Sequence, residues 1–332
     1  MSQDANGAGP DSDEFRYDEF SYLSENCAEY GLDLPPGLIV SRLWISLPDG
    51  RRMSAIRWGV ATPQVVLIHG GAQNAHTWDT VALALWPTPI LAVDLPGHGH
   101  SSWREDGAYD PRNNADDVAQ VIAAHAPEAS MVVGMSLGGL SAVALAARHP
   151  DLVRRLLIVD VTPGVNRDKA AEVHAFIEGP QTFASFSEIF DRTVAFNPTR
   201  SPASLRRGIL HNAHRLPDGT WEWNYDRGLT TRVESPVLAG GPVNVDESEG
   251  PADGGSQPLG TAVSELWDDV SAVRVGLTLV RGGASPVVDD DDVAELLRRQ
   301  PNAEVIVVEG AGHSVQGDRP TELADILAER IS

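Results

Sequence analysis

The chain has 332 residues, a formal net charge of −22 and a single cysteine, Cys27. The charge argues against nucleic acid and anionic membranes as partners, since both would be repelled, and one cysteine excludes a disulfide framework or a thiolate metal cluster. No stretch reaches the roughly 18 apolar residues of a membrane span, and Met1 to Glu14 lacks the basic and apolar parts of a signal peptide, so a soluble, cytoplasmic protein is expected.

Residues 1–36 read as an acidic, largely disordered segment, because residues 1–20 carry little to bury. Tyr22 to Tyr30 forms a short helix in this reading, stopped by Gly31, and Leu34-Pro35-Pro36-Gly37 breaks the chain. Residues 37–162 then carry a strand and helix pattern. Leu38 to Leu47 and Met53 to Trp58 flank a turn at Asp49-Gly50 and predict a hairpin. Val65 to Ile68 and Ile90 to Val93 are continuous apolar runs, as in strands buried on both faces of a parallel sheet. Asn113 to His125 has apolar residues at helical spacing. Met131 to Val133 predicts a strand, Leu140 to Arg148 a helix, and Leu156 to Val159 a further strand ending at Asp160. Alternation with short connections predicts a mostly parallel central sheet with helices on both faces.

The alternation stops over residues 163–266. Five prolines from Pro163 to Pro217 punctuate amphipathic pieces such as Lys169 to Ile177 and Phe186 to Val194. An excursion of that length between two sheet strands predicts a helical cap or lid insertion. Within it, residues 234–261 are rich in Gly, Pro, Ser and acids and are expected to be mobile. Residues 267–332 resume the pattern, with strands at Val275 to Val280 and Glu304 to Val308 and helices at Asp290 to Arg299 and Glu322 to Ile331.

The central motif is Gly134-Met135-Ser136-Leu137-Gly138, between a predicted strand and a predicted helix. In that context G-x-S-x-G is a nucleophile elbow: a sharp turn needs residues without bulk, and it lifts the serine hydroxyl above the sheet at a helix N-terminus. Three further landmarks share its order: His69-Gly70-Gly71, Asp94-Leu95-Pro96-Gly97-His98-Gly99-His100-Ser101 and Gly310-Ala311-Gly312-His313. With these residues the chain resembles the α/β-hydrolase superfamily, in its lid-bearing serine esterase and epoxide-hydrolase-like branch. The resemblance covers about residues 38–165 and 270–332.

The resemblance implies Ser136 as nucleophile and His313 as its general base. A serine hydroxyl needs such a base, because it is weak at its own pKa. His125, His149, His211 and His214 read as solvated, His98 and His100 as parts of a structural loop, and His69 and His76 as supports of the oxyanion loop. The third member departs from the commonest family pattern, which places Asp after the strand at Val275–Val280. This chain has Gly282-Gly283-Ala284-Ser285-Pro286 there, and serine cannot supply the charge. Asp160, at a strand end beside the elbow, is the preferred acid, as in some branches of the family. Asp289 is the rival, although Asp289 to Asp292 reads as an acidic helix start. The backbone N–H groups of Leu137 and Gly71 are expected to form the oxyanion hole, with Ala72 as an alternative to Gly71. Trp78, Trp103 and Met135, with lid aromatics such as Phe176, Phe183, Phe190, Trp221 and Trp223, are expected to line an apolar pocket.

These readings converge on a serine hydrolase cleaving an ester, lactone or related acyl bond of a small apolar molecule. No cofactor or metal is expected, since Asp289-Asp290-Asp291-Asp292 lacks the spacing of a calcium loop. A carbon–carbon bond hydrolase shares the triad. A cofactor-free oxygenase or a ligand sensor on the same scaffold are the alternatives from other classes. A dehalogenase or epoxide hydrolase is disfavoured, because both place a carboxylate where Ser136 stands.

Overall fold

The computed structural model describes residues 9–166, 168–198, 200–226 and 259–331, with side chains of the last segment from 265 onward. Strands β1 (Val40–Ser46), β2 (Arg52–Trp58), β3 (Val65–Ile68), β4 (Ile90–Asp94), β5 (Met131–Met135), β6 (Arg155–Val159), β10 (Gly276–Gly282) and β11 (Glu304–Val308) build the main sheet. Their order is β1-β2-β4-β3-β5-β6-β10-β11. The first two junctions, β1 to β2 and β2 to β4, are antiparallel and the rest are parallel. The hairpin turns at Gly50, whose φ of 87° is left-handed and suits glycine.

Every residue of β3, β4 and β5 is buried, which is why these segments read as unbroken apolar runs. Alternate side chains go to opposite faces. Val66, Leu91, Val132 and Leu156 join one apolar layer with helices α3 (Pro111–His125), α4 (Leu137–Arg148) and α8 (Leu259–Ala272). Val65, Leu67, Val133 and Leu157 join the other with α1 (Leu23–Tyr30), α2 (Asp79–Ala84) and α11 (Pro320–Ile331). Each such side chain, fully buried, contributes roughly 1.5–3 kcal/mol of transfer free energy. Helix α3 starts where its caps dictate: Asp110 accepts the N–H groups of Arg112 and Asn113, and Pro111 occupies the first turn.

The insertion is not purely helical. Helices α5 (Ala171–Ile177), α6 (Phe186–Phe196) and α7 (Pro202–Asn212) are joined by a three-stranded antiparallel sheet of β7 (Thr182–Phe183), β8 (Ala213–Arg215) and β9 (Trp221–Trp223), in the order β7-β9-β8. Trp221, Trp223, Phe183, Phe186 and Ile209 form its own apolar core. Strands of two or three residues carry no visible period, so the sequence reading missed them. The expected end at residue 266 also shifts: α8 packs on α4, and Leu266 lies in the main core. Of the stretch 234–261 expected to be mobile, residues 234–258 lie outside the described residues.

Residues 9–36, expected to be largely disordered, are held in place. Asp11 Oδ1 accepts Phe186 N at 2.9 Å and Trp221 Nε1 at 2.8 Å, which caps α6. Asp13 pairs with Arg215 at 2.7 Å, and Glu19 with Arg42 at 2.6 Å. Tyr17 Oη lies 2.6 Å from His211 Nδ1. Polar anchors to distant residues fix this segment together with the apolar packing of Tyr22, Leu23 and Cys27. Cys27 is buried in the second apolar layer. Among the described residues no helix is long and apolar enough to cross a membrane.

Candidate active site

All the sequence motifs meet at the carboxyl edge of the parallel strands, where open α/β sheets build sites. Among the described residues, three non-glycine residues have positive φ: Ala72 at 57°, Ser136 at 51° and Asp160 at 49°. Each follows a sheet strand, and each costs of order 1–3 kcal/mol that the surrounding contacts must offset. Backbone strain of this kind clusters at functional sites.

Ser136 sits between β5 and the first residue of α4, Leu137. The tightness of this elbow sets its glycines. A Cβ on Gly134 would stand 2.2 Å from Gly138 O, and one on Gly138 would stand 2.4 Å from Ile68 O. Ser136 Oγ lies 3.1 Å from His313 Nε2. His313 comes from the loop after β11, and its Nδ1 lies 2.8 Å from Asp160 Oδ2. A carboxylate only accepts, so Nδ1 carries the proton and Nε2 is left to accept from the serine.

Asp160 is fully buried. Gly282 N donates to its Oδ1 at 2.8 Å, and Ser285 Oγ donates to its Oδ2 at 2.5 Å. Ser285, at the position where the family pattern favours an acid, therefore supports an acid on the neighbouring strand. Asp289 is elsewhere engaged. It caps helix α9 (Asp290–Arg299) by accepting Asp292 N at 2.9 Å, and it pairs with Lys169 at 2.8 Å. The Lys169 ammonium holds its carboxyl below the ordinary range.

Gly71 lines the same cavity as Ser136, and a Cβ on Gly71 would stand 4.0 Å from Leu137 Cδ2. Ala72 is removed as a donor, since its N–H is given to His98 Nε2 at 3.0 Å. His98 in turn donates Nδ1–H to Pro96 O at 3.0 Å. Burial pushes the His98 imidazole down to about 3, so it stays neutral and can accept. His69 accepts Leu95 N at 2.9 Å, and burial lowers its pKa as well. Asp94 ties the loop base together through Ala75 N at 2.7 Å, Ser54 Oγ at 2.9 Å and Arg42 Nη1 at 2.8 Å. The sequence reading overlooked Gln73, which accepts Gly70 N at 3.2 Å and donates to Ser314 Oγ at 3.2 Å. It latches the loop after β3 to the loop that carries His313; such cross-loop contacts have no local signature.

A cavity of about 420 Å³ opens at Ser136. Met135, Phe176, Ile177 and Trp223 line it, whereas the expected Trp78 and Trp103 do not. Trp78 is sealed in the apolar layer beneath β3. Trp103 is 51% exposed on the loop after Ser101. Phe183 and Trp221 are spent on the core of the insertion.

One further polar cluster borders the cavity. His76, Asp79 and His211 are buried with potential ligand atoms within 4.8 Å of one another. Burial alone would depress His76, but Asp79 at 2.8 Å and Glu19 at 3.3 Å raise its imidazole to about 9. His211 is pushed well below its ordinary value by burial and by the charge on His76. The two rings stack at 3.8 Å with planes 11° apart. In-plane lone pairs of stacked rings run side by side instead of converging, so this arrangement fits a charged hydrogen-bond cluster better than a metal ligand set.

A family model described as "Alpha/beta hydrolase family" matches residues 65–326. Esterase Rv0045c of Mycobacterium tuberculosis is 44% identical over 322 residues, covering 93% of this chain and 94% of that protein. A solved structure of the M. tuberculosis esterase, described together with its inhibition by transition metals, superposes with a TM-score of 0.78 at 42% identity, over 95% of this chain and 99% of that one. The 2-(acetamidomethylene)succinate hydrolase of Mesorhizobium japonicum is 27% identical, over 82% of this chain and 88% of that protein.

Proposed function

The chain belongs to the alpha/beta hydrolase family and is an ester hydrolase, and we propose that it works as a serine hydrolase through Ser136, His313 and Asp160. Its substrate in this reading is an ester, lactone or related acyl compound whose reacting end is small and apolar. Ser136 Oγ attacks the carbonyl carbon while His313 Nε2 takes its proton. The developing oxyanion receives the N–H groups of Leu137 and Gly71, a contribution of about 10²–10³ in rate for one such donor. The tetrahedral intermediate collapses, the C–O bond to the alcohol breaks, and His313 returns the proton to the departing oxygen. Water then enters, gives a proton to His313 and attacks the acyl-serine, which releases the acid and restores the serine. Asp160 keeps the Nδ1–H tautomer and stabilises the imidazolium without taking the proton.

The observation that carries this reading is the line of contacts from Ser136 Oγ to His313 at 3.1 Å and from His313 to Asp160 at 2.8 Å. The serine within reach of the base favours acyl transfer over the base-only chemistry of a cofactor-free oxygenase. Hydrolysis of p-nitrophenyl esters of graded acyl length, with fluorophosphonate inactivation of the same activity, tests it. Oxygen uptake without ester cleavage would support the oxygenase instead.

A further inference from the structure

The wall of the cavity holds a cation that ester cleavage does not use. Lys169, Arg200 and Arg207 all line the cavity. Lys169 is neutralised by Asp289 and Asp292, each at 2.8 Å. Arg207 is neutralised by Glu29, with Asn26 Oδ1 at 2.8 Å and Glu25 at 3.7 Å. Arg200 differs from both. Its Nη2 donates to Ser204 Oγ at 2.8 Å. Its Nε is sealed from solvent with no hydrogen-bond partner. Among the described residues, no carboxylate reaches it within ion-pair distance. Burial lowers the guanidinium below its ordinary pKa, while Asp318 and Glu29 oppose this only from beyond contact. The other acids on this wall are occupied or solvated: Asp318 accepts Gly312 N at 2.8 Å, Asp79 holds His76, and Glu172 is exposed.

Arg200 is partly buried, and a guanidinium in that position with no carboxylate in direct contact is stabilised by a bound anion. Arg200 is also tied to the catalytic loop. A Cβ on Gly317 would stand 2.9 Å from Arg200 Cζ, and Gly317 lies in the short helix α10 (Val315–Asp318) that follows His313. The same cavity wall carries the apolar side chains of Met135, Phe176, Ile177 and Val287. The ligand that matches both ends carries a carboxylate separated by an apolar stretch from the carbonyl that reacts.

We propose that Arg200 is a specificity residue and that the cavity takes an ester whose acyl chain ends in a carboxylate, held by Arg200 in a two-point charge-assisted pair. The proposal rests on the serine-hydrolase reading above. An acyl half anchored at its far end stays aligned through both acylation and deacylation, because only the alcohol leaves between them.

The test compares mono-p-nitrophenyl adipate with p-nitrophenyl hexanoate, two esters of equal chain length that differ in the terminal charge. The wild-type enzyme is expected to show a kcat/KM ratio of ~10 or more in favour of the adipate ester, as one charge-assisted pair would give. In Arg200→Met the ratio falls to about one, with the loss in KM for the adipate ester; Arg200→Lys, which keeps the charge and loses the fork, retains part of it. A wild-type ratio near or below one overturns the proposal, whether or not the variants fold. A ratio unchanged in Arg200→Met overturns it as well. If neither ester is cleaved and no fluorophosphonate reacts, the serine-hydrolase reading itself fails, a result distinct from cleavage without preference.

Discussion

Ser285 and His313 meet the same carboxylate oxygen of Asp160, the hydroxyl at 2.5 Å and the imidazole Nδ1 at 2.8 Å. The serine stands where the family pattern favours an acid, and the acid stands one strand away, buried at the end of β6. The end of β6 and the loop after β10 therefore meet at one carboxylate, which faces the imidazole. This convergence makes the placement of charge at the site testable by exchange.

Asp160→Asn is expected to lower kcat by ~10³–10⁴-fold, the size found when a triad carboxylate becomes an amide. Asp289→Asn should lower it by less than about tenfold, since only a helix cap and an exposed ion pair are lost. The double variant Asp160→Asn with Ser285→Asp should recover part of the rate, because Ser285 Oγ already lies beside the carboxylate that faces His313. Steady-state kinetics on one ester decide. Equal mild losses in both single variants would point to a Ser–His dyad.

Ser285→Ala removes one of two donors from a buried carboxylate oxygen and the acceptor of Val287 N. A stability loss of about 1–3 kcal/mol is expected in urea unfolding, the usual cost of a hydrogen bond taken from a charged group. The rate should fall by about tenfold or less, because Gly282 N and His313 still hold the carboxylate. A loss as large as that of Asp160→Asn would mean that Ser285 does more than support the acid.

The sheet and the elbow were legible because their signals are local. Buried strands such as Val65 to Ile68 are apolar throughout, and the serine lies between strand and helix at a spacing that only small neighbours permit. His313 and Asp160 were legible from chain order and from their places at strand ends. Other features depend on contacts far apart in sequence. Trp78 and Trp103 look alike in the sequence, yet one is sealed beneath the sheet and the other is half exposed. The small sheet of the insertion rests on strands of two and three residues. The first twenty residues are acidic, and the order of the N-terminal segment comes from long-range anchors such as Asp11 to Trp221 and Tyr17 to His211 together with the burial of Tyr22, Leu23 and Cys27.

Removal of residues 1–20 is accordingly expected to weaken the protein. It deletes the Asp11 cap of α6, the Asp13–Arg215 and Glu19–Arg42 pairs and the Tyr17–His211 contact. A fall in Tm of about 5 °C or more is expected, from a few kcal/mol at roughly 2–4 °C each. Because His76 and His211 border the cavity, KM should rise as well. An unchanged Tm would show that these anchors are dispensable.

Stability should also depend on pH through two histidines of opposite behaviour. His76 is raised to about 9 against an unfolded value near ~6.5, with Asp79, Glu19, Arg42 and His211 around it. Its contribution, up to about 3 kcal/mol, is complete below ~6.5 and lost as pH rises through about 9. His98 is depressed to about 3, so its contribution is present above ~6.5 and lost as pH falls toward about 3. Unfolding free energies measured from pH 4 to pH 10 should show both limbs, and His76→Gln should flatten the alkaline one. An identical alkaline slope in that variant would place the titrating group elsewhere.

In the proposed reaction the hydroxyl of Ser136 forms the acyl-enzyme. Mass spectrometry of the protein after reaction with a fluorophosphonate tests it most directly. One adduct per chain is expected, on the peptide containing Ser136. Ser136→Ala should take up no label, lose at least ~10⁴-fold in kcat and melt close to the wild type. Label on another residue, or more than a tenth of the wild-type rate in Ser136→Ala, would show that Ser136 is not the nucleophile.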